Sequence, residues 1–164
     1  HGRVCASSLQ ADSSKPTPNL TTCGTIRLDI PEERRSYSSV LSSMSDGQAH
    51  DRSGLDSATA WSAGRAEAGQ YMIMDIGFVG WVAGVVVRSR ADNSSEAVRA
   101  FRVQISDDGL AYEHVFDYLF AKPSPSDWIT KFPAVVKSRF VKVVVHVWEH
   151  WISMRAALLL CGAD

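Results

Sequence analysis

Three cysteines in 164 residues are too few for a disulfide-built scaffold, and their odd number leaves one thiol without an intramolecular partner. Charge of one sign is missing as well. With 17 Lys and Arg against 18 Asp and Glu the net charge is -1, so the basic surplus of a nucleic-acid groove is absent. The longest apolar run, Phe78 to Val87, is broken by glycines and falls far short of the ~20 residues a membrane-spanning helix takes. No stretch keeps the apolar period of an amphipathic helix, and no internal repeat is visible. A GxSxG elbow, a Gly-rich phosphate loop and a CxxC pair are all lacking, which removes the commonest signatures of hydrolase, nucleotide and redox chemistry. What remains is a chain long enough for one domain with a full hydrophobic core.

What the chain does contain is strand pattern. From Tyr71 the side chains alternate, with Tyr71, Ile73 and Asp75 on one face and Met72, Met74 and Ile76 on the other. Both faces are mostly apolar, which predicts a central strand over 70–76 buried on two sides. Asp75 is the polar exception, and the expectation for it is a hydrogen bond to nearby backbone or to an arginine. Gly80 to Arg90 reads as a β-branched strand running into a polar loop at 91–96. Phe101, Val103 and Ile105 against Arg102, Gln104 and Ser106 give a half-buried strand, ended by Asp107-Asp108-Gly109, with Tyr112 to Val115 as its hairpin partner. Phe116 to Pro133, with three prolines, reads as an irregular connection, and Arg139 to Val147 and Met154 to Cys161 as two last strands. Thr25 to Ile30 suits a short strand before a polar turn at Pro31 to Arg35. Trp61 is expected to seal one end of the core. Many short strands and no helix predict an all-β sandwich.

Residues 1–22 are rich in Ser, Thr, Pro, Asn and Asp and read as a flexible leader outside the core, with the domain occupying 23–164. The first residue is His1, which suits a processed or excised fragment. Cys23 stands before the strand pattern and Cys161 closes its last strand, so a bridge between them would staple the ends of the domain. Cys5 is then left to pair outside this chain or to stay free. Such a staple, together with the sequons Asn19-Leu20-Thr21 and Asn93-Ser94-Ser95, points to a secreted or cell-surface protein. His146-Val147-Trp148-Glu149-His150 matches the HxxEH of inverted zinc peptidases, but a β-branched strand would hold its histidines ~13 Å apart at ~3.3 Å per residue, too far for one metal.

The order of these features resembles the discoidin domain, also called the coagulation factor 5/8 type C domain, and the related carbohydrate-binding module family 32. The resemblance is carried by Tyr37-Ser38-Ser39, by Leu55-Asp56-Ser57 with Trp61, and by Gln70 to Gly77, a strand such families write as QWLQVDLG. It continues through Val82 to Arg90, Ser106 to Gly109, Arg139 to Val143, and Trp148 with Ile152, Met154, Arg155 and Cys161. It implies a galactose-binding-like jelly-roll β-sandwich, non-catalytic, that meets its ligand through loops at one end. On that footing Asp46, His50, Arg88, Arg90, Asp92 and Asn93 are candidates to hold sugar hydroxyls, and Trp151 to offer an aromatic face, with Trp148 and Tyr118 as further aromatics. Arg90-Ala91-Asp92 also resembles an R-x-D element of fucose-binding lectins, although His50 lies too far upstream for their spacing. The resemblance implies a cell-surface glycan or glycoprotein as partner. A protein receptor or an anionic lipid surface is the alternative expectation, and oligomerisation would add avidity. No cofactor is required on this reading. A structural calcium beside Asp56 is the one candidate, and Ala157 stands where the family's Glu would help complete it.

Overall fold

A computed structural model of the chain describes residues 9–42, 49–122 and 124–162. Among the described residues eight antiparallel strands account for nearly all the regular structure: β1 Thr25–Leu28, β2 Arg35–Tyr37, β3 Trp61–Ser62, β4 Tyr71–Arg88, β5 Ala97–Ser106, β6 Glu113–Phe120, β7 Trp128–Glu149 and β8 Ser153–Cys161. One 3-10 turn, Glu32–Arg34, joins β1 to β2 at the predicted polar turn.

Two long strands make the sandwich. The first half of β4 pairs with β2 and, through Tyr71 to Asp75, with the second half of β7. Its second half, from Gly80, pairs with β8 and with the first half of β7. Register shifts between Asp75 and Gly80 mark where the strand turns from one layer into the other, as bulges do. One layer is therefore β2, β4, β7, β5 and β6, and the other is β1, β8, β4 and β7. Gly84 lies at a second shift, where a Cβ would meet the Thr130 carbonyl oxygen at 2.6 Å.

The inner faces supply the core: Met72, Met74, Phe101, Val103, Val141 and Val143 from one layer, and Val82, Val85, Ala156, Leu158 and Leu160 from the other. Trp61 closes one end, fully buried, stacked on Tyr37 at 5.5 Å and donating from Nε1 to the Ser39 carbonyl at 2.8 Å. A second apolar cluster, including Ala83, Val86, Ala157 and Leu159, is packed against by Leu20, Cys23 and Trp81. Cys23 and Cys161 form the expected disulfide, across 138 residues of chain.

Four readings of the sequence need correction. Leu9 is 2% exposed in the main core, Gln10 bridges to Gly80, and Leu20 packs against the second cluster, so the segment before residue 23 is not wholly outside the core; its polar composition hid these apolar anchors. The two strands expected over 70–76 and 80–90 are one bent strand. Its outer face, Tyr71, Ile73 and Asp75, is only half-buried. The connection read over 116–133 is largely β-structure, since β6 runs to Phe120 and β7 starts at Trp128; Pro133 sits inside β7 on an exposed position. Asp75 behaves as expected. Its carboxylate accepts from the Gly77 N–H at 2.8 Å and from Arg139 at 2.9 and 3.1 Å.

Candidate functional site

The end of the sandwich nearest Ser153 and Arg88 gathers four irregular segments. The two-residue β3 lies against β8, and Asp51 bridges to Trp61. The Ser62 N–H donates to the His50 carbonyl at 2.9 Å, and the Ala63 N–H to the Ile152 carbonyl at 3.0 Å. Ser62 and Ser153 hydroxyls meet at 2.7 Å. From the third segment, the Ala91 N–H reaches the Thr59 carbonyl at 3.0 Å, and Arg90 and Glu96 close their own loop at 3.1 Å. Segments at 49–53, 89–96 and 150–153 are thus each tied by backbone bonds to the segment at 59–64, not merely adjacent.

Arg90 is the centre of this end. Its side chain is 7% exposed, and its planar fork grips Asp92, Nε to Oδ1 at 2.5 Å and one terminal nitrogen to Oδ2 at 3.1 Å. The other terminal nitrogen lies 3.1 Å from His50 Nδ1 and donates to Ser62 Oγ at 3.2 Å, and Glu96 stands 3.5 Å from Nε. Asp92 is the outward member, 38% exposed. Hydrogen bonds from Arg90 hold its carboxyl below the usual range, which favours the ionised, acceptor-only form. Beside it Asn93 is exposed, its Oδ1 accepting from Ser95 Oγ at 2.6 Å. The arrangement offers fixed acceptors and amide groups at a surface, backed by a buried cation.

The sequence candidates divide accordingly. His50, Arg90, Asp92 and Asn93 come together at this end. His50 and Arg90 were expected to face a ligand from open loops, but they are 3% and 6% exposed and lie beneath the surface. Arg88 is turned away, with Nε on Asp127 at 2.6 Å and a terminal nitrogen on the Leu55 carbonyl at 3.0 Å. Trp151 is half-buried at the same end, its Nε1 donating to the Ala63 carbonyl at 2.8 Å, and Trp148 packs against the core. Tyr118 is exposed, but on β6, stacked on His146 at 4.3 Å. Asp46 lies outside the described residues. His146 is in β7 and His150 follows it, so the HxxEH run is not helical. Glu96 and Ser62 were not picked out from sequence; nothing in their own neighbourhood points across to Arg90.

Around Asp56 the charges are mixed: Asp29 accepts from the Leu55 N–H at 3.3 Å and Glu32 from the Gly54 N–H at 2.7 Å, beside the guanidinium groups of Arg88 and Arg155. Asp56 itself is exposed. The neighbouring Leu55 carbonyl accepts from Arg155 at 2.8 Å as well as from Arg88, and Arg155 also donates to the carbonyls of Ser89 at 2.8 Å and Pro125 at 3.1 Å. Ala157 is fully buried in the second apolar cluster. Among the described residues no three His, Cys, Asp or Glu side chains converge to hold a metal ion.

A bent two-layer antiparallel sandwich with its polar network at one loop end defines a galactose-binding-like domain. Residues 36–158 match the F5/8 type C domain, and the chain belongs to that family. Among solved structures it is similar to the family 32 carbohydrate-binding module of NanJ from C. perfringens in complex with galactose, with TM-score 0.61 and 12% identity over 82% of this chain and 99% of that one. The family 32 module of AlyQ in complex with 4,5-unsaturated mannuronic acid gives TM-score 0.59 and 18% identity, over 81% and 97%. Discoidin II from Dictyostelium discoideum gives TM-score 0.57 and 16% identity over 88% of this chain, which spans 58% of that protein. Compared with curated protein sequences, the chain finds no match.

Proposed function

We propose that this domain is a non-catalytic extracellular module that recognises a glycan at the loop end, through Asp92 and Asn93 supported by Arg90 and His50. The observation that carries the reading is the Arg90–Asp92 fork: a buried guanidinium fixes the orientation of a half-exposed carboxylate, as hydroxyl recognition requires. Galactose and an unsaturated uronic acid in the NanJ and AlyQ module complexes support a sugar as the ligand class. Trp151 would bring an apolar face to the same end. The disulfide supports an oxidising, extracellular setting. We also infer that calcium is not required. Two guanidinium groups already take the Leu55 carbonyl beside Asp56, so a hard cation seeking ~6–8 oxygens would have to displace them to use it.

The test is a glycan array with the oxidised wild-type domain, in calcium and in chelator, beside Asp92→Asn and Asn93→Ala. Binding by the wild type, unaffected by chelator and reduced at least tenfold in both variants, is expected. A blank array from folded protein would sink the glycan reading and turn attention to vesicles with and without phosphatidylserine and to protein partners. Binding unchanged in both variants would move the site elsewhere on the surface.

A further inference from the structure

At the opposite end of the second layer, the segment that covers the second apolar cluster leaves a cavity of about 330 Å³. Trp81, Pro16 and Pro18 line it together with the Cys23–Cys161 disulfide, and Lys15 and Asn19 contribute polar groups. Asn19 opens one of the two sequons, the feature of the sequence that the loop-end site leaves unused. We propose that Asn19 is an N-glycosylation acceptor and that this cavity seats the first sugar of its glycan.

The local geometry is that of an acceptor. Asn19 is exposed, and its Oδ1 accepts from the Thr21 N–H at 2.9 Å and from Thr21 Oγ1 at 2.8 Å. Its Nδ2 makes no hydrogen bond to any described residue. The turn is fixed on both sides, because the Thr22 and Cys23 N–H groups donate to the Asn19 carbonyl at 3.1 and 2.9 Å while Leu20 packs into the second cluster beside Trp81 and Cys23. A sugar joined to Nδ2 would emerge at the rim of the cavity. Its volume lies at the small end of ligand pockets, ~300–1,000 Å³, and suits about one sugar residue. The lining suits one chemically, since an indole and two proline rings take the C–H faces of a pyranose and polar groups at the rim take its hydroxyls. Attachment transfers an oligosaccharide from a lipid-linked pyrophosphate donor. The C1–oxygen bond to pyrophosphate breaks, the Nδ2–C1 bond forms, Nδ2 gives up one proton, and the lipid pyrophosphate leaves. Asn93 forms a similar turn with Ser95, on the exposed loop of the candidate site.

The test uses the whole chain secreted from mammalian cells with glycan processing blocked at the high-mannose stage. A Ser95→Ala background removes the second sequon. Peptide mapping is expected to find Asn19 occupied. The intact glycoprotein is then compared with a sample trimmed by endoglycosidase H, which leaves one N-acetylglucosamine, and with one stripped by peptide N-glycosidase F, which hydrolyses the amide and leaves an aspartate, so that Asn19→Asp is its sugar-free reference. The first two should melt together, about 3 °C above the stripped form, the size of shift one stacking contact makes in a domain of this length. Asn19→Asp should melt with the stripped form; if it is not secreted, the intact and endoglycosidase-trimmed forms against the stripped parent still decide. An unoccupied Asn19 in the secreted protein overturns the acceptor assignment. Three forms that melt alike overturn the seating in the cavity.

Discussion

Arg155→Met removes a cation from the interior while keeping most of its apolar stem. Arg155 is 6% exposed and donates to three carbonyls, those of Ser89, Leu55 and Pro125. Leu55 retains a donor, because Arg88 reaches the same oxygen at 3.0 Å. The Ser89 carbonyl, on a buried residue, loses its donor at a cost of ~1–3 kcal/mol, whereas Pro125 is exposed and water can replace the bond to its carbonyl. Relief from burying a guanidinium offsets part of this, so the expected loss is about 2 kcal/mol, or a fall in melting temperature of about 4–8 °C. The damage should be local before it is global. The three carbonyls belong to segments at 55, 89 and 125, and hydrogen exchange should rise around them before it rises in β4 or β7. Thermal melts with exchange mass spectrometry read both parts, and millimolar calcium added to the variant should restore neither. A loss under about 1 kcal/mol would show that the three loops are held by other contacts. Recovery in calcium would show that the vacated oxygens can hold a metal ion in place of the guanidinium, and would overturn the expectation that only the planar fork joins these loops.

Three further outcomes follow from other parts of the fold. Reducing the Cys23–Cys161 bridge, or replacing both cysteines with serine, should cost about 5 kcal/mol on the chain-entropy account of a loop this long, read as the change in midpoint between oxidised and reduced urea titrations. Burial alone would raise the Asp75 carboxyl, but the hydrogen bonds from Arg139 and the Gly77 N–H outweigh it and leave its folded pKa below 3.8. The stability it adds is therefore complete above the unfolded value and is lost as pH falls from about 4 through the folded pKa; in Asp75→Asn that part of the acid limb should flatten, and an unchanged limb would assign the acid sensitivity to other carboxylates. Gly84→Ala would push a Cβ against the Thr130 backbone oxygen, 2.6 Å away, and should destabilise by about 1–3 kcal/mol in equilibrium unfolding. A neutral result would mean that the bulge in β4 shifts freely past β7.

The strands were legible because their signal is local. Met72, Met74 and Ile76 are buried as their alternation demands, and so are Phe101, Val103 and Ile105. The bend in β4 was not, because Gly77 and Gly80 read equally well as the end of one strand and the start of another; only the change of partners from β2 to β8 joins the halves. Residues 116–133 misled through proline, which is compatible with a strand position that faces outward. At the loop end, the types and places of His50, Arg90, Asp92 and Asn93 were readable, but their depth was not. A loop arginine looks alike in sequence whether it meets solvent or grips a neighbour, and the partners that bury Arg90 include a histidine 40 residues away and a serine 28 residues away.

The buried arginines show why this part of the design escapes sequence reading. Arg35, with its side chain 0% exposed, donates to the carbonyls of Ile30, Ser53 and Ala156 and to Asp29. Arg155 gathers Leu55, Ser89 and Pro125. Most of these acceptors are backbone oxygens, which any residue could supply, and some lie 100 to 121 positions away, so no pattern of side chains records the pairing. Each guanidinium does what a bound cation would do, drawing oxygens from distant segments onto one positive centre, with the added demand that its donors lie in a fixed plane. A lysine keeps the charge but not the fork. Arg35→Lys should therefore be far from conservative: a single ammonium cannot reach three carbonyls and a carboxylate spread around a planar group, and the variant should lose most of what Arg35→Met loses.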